Sequence, residues 1–572
     1  MIYINPLKQI NWSLVWRALT PRERTILYFL TVLIFASLAT LGAQFYYANT
    51  EIAPARGGVH IESELGIPRF INPVLSQISD PDRDITRIVY PGLMRYDKNG
   101  KLGEDLAESY KIENNTLYTF KLRKNVLWHD GELLTADDVV FTIKMIQDPK
   151  YASPVRLNWQ GVEVKEIDDF TLSFKLVSPY SPFLENTTVG ILPKHIWENV
   201  SPKSFPLAEA NLQPIGAGPY KFEKFQKDST GNIKSYTLKI NDKYYGSAPY
   251  IARIVFKFFD SEEEALRALK NQEVSAMSFI SGYNSIQAEE RASEILYTFS
   301  LPRYFAIFLN QSNSKLLSDK NVREALLLAT NREEIINISA AGKGKPSFGP
   351  IVRELLGYNP QIEEKYQFNP DEARRILEKS NWIDTDGDGI REKTLSGDTE
   401  ATPLEINLIT VQSPELEKVM RGIKDQWKKI GARVIINSYT LGELQQEYIR
   451  PRDYEALLFG QIVGIDPDPF SFWHSSQKKD PGLNLALYDN KTADKLLEEA
   501  RQTLDSQARA EKYVLLQETI SSDIPAIFLY SPTYLYPVNK NIKGISEGKI
   551  ADPSWRFADV TEWYIDTKRV WK

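Results

Sequence analysis

From Thr25 to Tyr47 the chain carries no charged residue, and Leu, Ile, Phe, Val and Ala dominate the run. A helix of that length crosses a hydrocarbon layer of ~30 Å. Lys8, Arg17, Arg22 and Arg24 precede it, which keeps residues 1–24 cytoplasmic and sends the bulk of the chain outward. Tyr46 and Tyr47 suit the far interface. A cleaved signal peptide is the competing reading, because Ser37-Leu38-Ala39 offers a small-residue cleavage site. The long polar lead, and an apolar run beyond the ~7–15 residues of a signal core, favour an uncleaved single-pass anchor over residues 25–47. Residues 48–58, with Pro54, Gly57 and Gly58, read as a polar linker, and a folded body is expected from Val59.

What remains is long enough for several domain-sized units or fewer large lobes. Of the 572 residues, 42% are hydrophobic and 25% charged, the balance of a globular protein. A net charge of -6 gives no reason to expect a nucleic-acid partner. The absence of cysteine excludes disulfides, thiolate metal sites and a cysteine nucleophile. His60, His129, His195 and His474 are scattered without ligand spacing, and no nucleophile elbow, phosphate loop or HExxH motif occurs, so no enzyme is expected. Aromatic residues reach 12%, a surplus that suits a cleft gripping ligands by stacking and apolar contact.

The most informative stretch of the body is Leu117 to Gln147. Tyr118, Phe120 and Leu122 alternate with Thr119, Lys121 and Arg123, which predicts a half-buried strand. Asp130-Gly131 supplies a turn, Thr135 with Asp138 resembles a capping box, and Val139, Ile143 and Ile146 share one helical face. Further along, hairpins are expected over 162–176 and 219–240, and a strand over Ile251–Phe259 followed by a helix capped at Ser261. Leu404 to Gly442 reads strand, helix, strand, a βαβ unit with Gly431 ending the helix. Ile524 to Tyr530 reads as a late strand.

Leu122-Arg123-Lys124, Asp130-Gly131 and Thr135-Ala136-Asp137-Asp138-Val139, with Leu106-Ala107-Glu108-Ser109 upstream, resemble the signature of the family 5 extracellular solute-binding proteins, the peptide-type receptors of ATP-binding cassette importers. Asn72-Pro73, Tyr90-Pro91-Gly92-Leu93, Gly216-Ala217-Gly218-Pro219-Tyr220 and Asn321-Val322-Arg323-Glu324-Ala325-Leu326 extend the resemblance from Val59 to about Gly544. It implies an α/β, two-lobed periplasmic-binding-protein-like fold (type II, large cluster C form) behind the N-terminal transmembrane helix. Lobe I would comprise 59–88, 205–302 and 526–572, with an inserted subdomain at 89–204 and lobe II at 303–525. It further implies a monomer at the cell membrane that binds di- or oligopeptides between its lobes and delivers them to a permease powered by separate ATPase subunits. Other relatives within the fold bind oligosaccharides, nickel complexes or haem-like compounds, and a sensory ectodomain is a further alternative. The usual lipid tether on an N-terminal cysteine is missing here, and the apolar run would replace it.

By position within the resemblance, the cleft residues are Ser79, Asp80, Trp159, Tyr283, Phe308, Tyr439, and the loop Gly460, Gln461, Ile462, Val463, Gly464 and Asp466. In peptide-binding relatives an aspartate in this loop pairs with the ligand's amino group; its place here is taken by Gly464, and the neighbouring aromatic's by Gln461. Independently of the family, Asp384, Asp386 and Asp388 alternate before Gly389 like the start of a calcium loop, with Glu392 at the ninth position. The twelfth, which should be a bidentate glutamate, is Leu395, so a solvated acidic turn is the alternative. No other cofactor is expected.

Overall fold

The computed structural model describes residues 12–289, 293–395, 397 and 399–572; of the cations flanking the apolar run, Lys8 lies outside them. The apolar run is one helix, Pro21–Asn49, with no buried residue. Thr20 and Glu23 close its first turn reciprocally: Thr20 N–H donates to the Glu23 carboxylate (2.8 Å) and Glu23 N–H to Thr20 Oγ1 (3.4 Å). The expected linker is not one. The helix passes directly into the strand Thr50–Pro54, which pairs antiparallel with the chain's last strand, Thr567–Trp571. Sequence reading had no access to that partner, because more than five hundred residues separate the two.

The body is organised on a continuous sheet with the strand order 433–439, 405–411, 456–462, 303–309, 526–539, 276–277, 57–65, 251–259, 233–240 and 220–227. At one end of it 405–411 and 433–439 form a βαβ unit: they lie parallel, joined by the helix Pro414–Lys428, which ends before Gly431 at φ +83°. The late strand is twice as long as the sequence indicates, Ala526–Asn539 rather than a piece ending at Tyr530. Pro532 and Pro537 lie within it. In the structure Pro532 falls where the strand changes partners, from 303–309 (Phe305↔Tyr530) to 294–300 (Ser300↔Thr533).

That change of partners divides the body into two lobes. One core holds the first strands together with the inserted subdomain. Two others cover the opposite faces of the second lobe's strands. The inserted subdomain is a four-stranded sheet, 107–113, 117–122, 171–175 and 163–168, covered by the helix Ala136–Gln147. Val139, Ile143 and Ile146 are buried against it, and the Thr135/Asp138 capping box forms as the sequence predicts. Asp138 also accepts the Lys194 N–H (2.8 Å), which ties the helix start to the next loop.

Beneath the first lobe lies a buried ionic cluster. Arg556 reaches Glu62 (3.1 Å), Glu64 (3.0 Å) and Asp84 (2.5 Å), all essentially unexposed. Glu62 is further held by His60 Nε2 and the Tyr536 hydroxyl, both at 2.7 Å. Burial and the neighbouring Asp84 push the Glu64 carboxyl well up, against the lowering effect of Arg556. Replacing Arg556 with methionine would strand the remaining carboxylates in an apolar site. Arg556→Met is expected to lower stability by about 3–5 kcal/mol in chemical denaturation, because the other members remain buried and uncompensated.

Candidate functional site: a closed cavity between the lobes

The helix Asp80–Val89 is the site's floor. Ser79 caps it, accepting the Asp82 N–H, and the Asp82 carboxylate accepts Arg69 and Phe70 N–H groups (2.6 and 2.7 Å), so the preceding loop is pinned onto the helix start. From this helix Arg83, Arg87 and Tyr90 turn toward a cavity of about 230 Å³. The inserted subdomain contributes Tyr96, Trp159 and Glu185, the short turn Pro553–Phe557 contributes Trp555, and the second lobe reaches in through Gly464 and Ile465. The Arg87 guanidinium lies 3.7 Å over the Trp555 ring and donates to the Thr188 carbonyl (3.3 Å). Two polar atoms of the lining, Arg83 Nε and the Tyr90 hydroxyl, are buried without a hydrogen-bond partner among the described residues. Both atoms are buried away from solvent in this form, and Arg83 Nε lies 4.0 Å from the Asp552 carboxylate.

The lobes are shut over this space by bonds that cross from the inserted subdomain to the second lobe. The Asp466 N–H donates to Glu185 Oε1 (2.7 Å), which also accepts from the Tyr96 hydroxyl. Ser181 N–H donates to the Arg501 carbonyl (2.8 Å), and Tyr180 OH to Asp468 (3.2 Å). Arg501 grips the same Asp468 carboxylate (2.6 Å) and packs on Phe470 and Tyr180. Asp466 is in turn anchored by Arg509 at 2.8 and 3.0 Å. Glu185 is the strained member. Burial pushes its carboxyl up to about 7, against the lowering effect of the Tyr96 and Asp466 donors, while the Asp466 charge adds to the rise.

The residues selected from sequence are scattered by comparison. Trp159 and Gly464 line the cavity. Gly464 has φ +82°, with Glu185 Oε2 3.4 Å from where a Cβ would stand, so the loop passes close beneath the inserted subdomain. Asp466 contributes through its backbone N–H rather than its carboxylate, which Arg509 occupies. Val463 is buried and Gln461 is held by Tyr304 inside the second lobe, while Gly460 packs on Phe305 and Ile462 is exposed. Phe308 is corrected outright: it is fully buried beside Trp473 in the second lobe's core, since its strand turns that face inward. Ser79 is a cap and Asp80 an exposed partner of Arg83. Tyr283 is exposed at the outer rim, under Lys418, and Tyr439 stacks on Tyr448 (4.4 Å). Missed were Arg83, Arg87, Tyr90, Tyr96, Glu185 and Trp555. The pair Arg83/Arg87, one turn apart on a helix that is otherwise mostly buried, was the available signal.

At the acidic loop the carboxylates of Asp384, Asp386 and Asp388 converge within 4.8 Å of one another. Each already accepts a backbone N–H of its own loop, from Gly387, Asp388 and Ile390 respectively, and Asp388 also meets Arg433 at 3.2 Å. Glu392 is turned to the Thr385 N–H (2.6 Å). The loop thus gathers three of the four acidic side chains, each within its own turn, and turns the fourth aside.

Comparisons with known proteins bear on this arrangement. The model of the bacterial extracellular solute-binding proteins, family 5, matches residues 101–484, and the chain belongs to that family. It is similar to the oligopeptide-binding protein AppA of Bacillus subtilis (strain 168), 29% identical over 91% of this chain and 96% of the relative. The solved structure of that AppA with a nonapeptide superposes with a TM-score of 0.70, covering 90% of this chain and all of the other. A dipeptide-binding protein of Escherichia coli (strain K12) is 28% identical over 77% of this chain and 82% of its own length. NikZ of Campylobacter jejuni, solved with Ni(L-His), is 26% identical with a TM-score of 0.71, covering 88% of this chain and 99% of that one. The family consists of substrate-binding proteins of transporters, and the mixed α/β two-lobed fold is theirs.

The Glu185 carboxylate makes closure pH-dependent. Exposed in a parted cleft it would titrate near 4.5, and in the shut form near 7, so the shut form binds the proton more tightly. Closure is then most favourable below about 4.5 and weakens as pH rises through about 7. Ligand affinity measured by calorimetry from pH 5 to 8 is expected to fall with rising pH, and Glu185→Gln is expected to flatten that slope.

Proposed function

We propose that this protein is the membrane-anchored receptor subunit of an ATP-binding cassette importer, that it captures a short peptide in the cavity between its lobes, and that the shut form delivers the peptide to a permease. The observation carrying this reading is the cavity at the lobe junction, lined by Arg83, Arg87, Trp159, Glu185 and Trp555 together with Gly464 and Ile465 of the second lobe. At about 230 Å³ it is smaller than the ~300–1,000 Å³ of sites for drug-sized ligands, so in this shut form the guest is short. The lining carries both signs of charge, with Asp552 beside Arg83 and with Arg87 and Glu185 nearby, which suits a polar guest. The oligopeptide- and dipeptide-binding relatives support a peptide.

The helix Pro21–Asn49, apolar and wholly exposed, supports a single-pass anchor with the N-terminus cytoplasmic and the lobes outside the cell. The protein acts as a monomer, with ATP hydrolysed by partner subunits. A second reading keeps the fold and changes the cargo to a non-peptide solute such as a metal–amino acid complex; Gly464, where a carboxylate would meet a peptide amino group, favours it, as does the Ni(L-His) relative.

Native mass spectrometry of the purified chain, followed by calorimetry with a panel of di- to pentapeptides, decides between them. Binding of di- or tripeptides at micromolar levels is expected; flat traces across the panel with a metal complex copurifying would replace the peptide reading. Gly464→Leu, which puts a side chain at a positive φ beneath Glu185, is expected to abolish measurable binding while leaving the melting temperature close to wild type.

A further inference from the structure

We propose that the small sheet formed by Thr50–Pro54 and Thr567–Trp571 is a membrane-surface contact: it rests on anionic phospholipid headgroups beside the emerging helix and sets the orientation of the lobes over the bilayer. The inference rests on the reading that Pro21–Asn49 spans the membrane.

The sheet begins where the apolar helix stops. Lys572 N–H donates to the Asn49 carbonyl (2.9 Å) and its Nζ to the Ala48 carbonyl (3.1 Å), so the end of the chain closes onto the last helical turn. Arg569 donates to Thr50 through both its carbonyl (3.3 Å) and hydroxyl (3.0 Å), and its guanidinium lies 4.4 Å over the Tyr47 ring. Trp571 meets Tyr46 edge-on at 5.8 Å and Phe45 at 6.2 Å. The register Thr50↔Trp571 and Ile52↔Arg569 places Ile52, Arg569 and Trp571 on one face of the pair.

Ile52 and Trp571 give this face an uncovered apolar patch beside Arg569. Ile52 is 64% exposed and Trp571 62%, next to Phe45 at 64% and Tyr47 at 60%. Among the described residues, none of these four belongs to a hydrophobic core of the lobes. Tryptophan and tyrosine at the end of an apolar helix are the composition of a membrane interface, where a ring contacts lipid and a polar edge stays wet. Arg569 lies on this face and Lys572 follows it, while Lys568 lies on the other face of the pair with Glu51, and long cationic side chains at that level reach anionic headgroups. A surface that continues a bilayer-spanning helix without a break lies at headgroup depth, which is why lipid rather than a protein is its partner.

The absence of native cysteine makes the test clean. The full chain is reconstituted without permease in nanodiscs of phosphatidylcholine, with and without phosphatidylglycerol. Single spin labels are placed at Ile52→Cys, at Ser37→Cys within the helix, and at Val177→Cys, 88% exposed on the inserted subdomain. Collision with a water-soluble nickel complex is read at each. The Ile52 label is expected to be several-fold less accessible than the Val177 label, and less accessible again when phosphatidylglycerol is present. Lys568→Gln with Lys572→Gln is expected to remove that lipid dependence and leave the Ser37 label buried in lipid. An Ile52 label as accessible as the Val177 label, with the Ser37 label in lipid, overturns the surface contact alone. A water-accessible Ser37 label overturns the spanning reading first and the contact with it.

Discussion

The pairing of one strand with two successive partners holds this structure together. Ala526–Asn539 is bonded first to 303–309 and then to 294–300, and those two partners are themselves one continuous run of chain through Leu301-Pro302. Each lobe packs its own cores, and the link between them is a narrow ribbon of backbone hydrogen bonds. Such a link bends without disturbing either core, which is what hinge closure requires. The cavity exists only because the ribbon lets the loop at Gly464 approach the floor helix Asp80–Val89.

The contacts that shut the cleft are polar and few. Glu185, Asp466, Asp468, Tyr180 and Arg501 form a bridge of backbone and charged groups rather than an apolar seam. A polar bridge is worth little net in water, so an unliganded molecule would gain little by closing. A guest that touches both the first-lobe lining and the loop at Gly464 adds the missing interaction, and the shut form is favoured to the extent that the ligand binds it better than the parted form.

Much of the frame was legible in the sequence because it is local. The alternation from Tyr118 to Leu122, the capping box at Thr135 and the βαβ unit around Pro414–Lys428 need only neighbouring residues to specify them. The site was legible in part: Trp159 and Gly464 reach the cavity, whereas Phe308 faces a core and Asp466 acts through its main chain. The rest depends on contacts across hundreds of residues. Trp555 meets Arg87, Glu185 meets Asp466, and Trp571 meets Tyr46 only after the chain has folded back on itself. The late strand, read as ending at Tyr530, runs on to Asn539 through a change of partner at Pro532.

The central claim is that two lobes joined by the Ala526–Asn539 ribbon close on a small guest. Pulsed electron–electron spectroscopy on the full chain, labelled at Val177→Cys in the inserted subdomain and Leu515→Cys in the second lobe, measures it directly; both positions are exposed. A broad distribution that narrows and shortens when a bound peptide is added is the predicted result. A distribution unchanged by any ligand that calorimetry shows to bind would contradict the account.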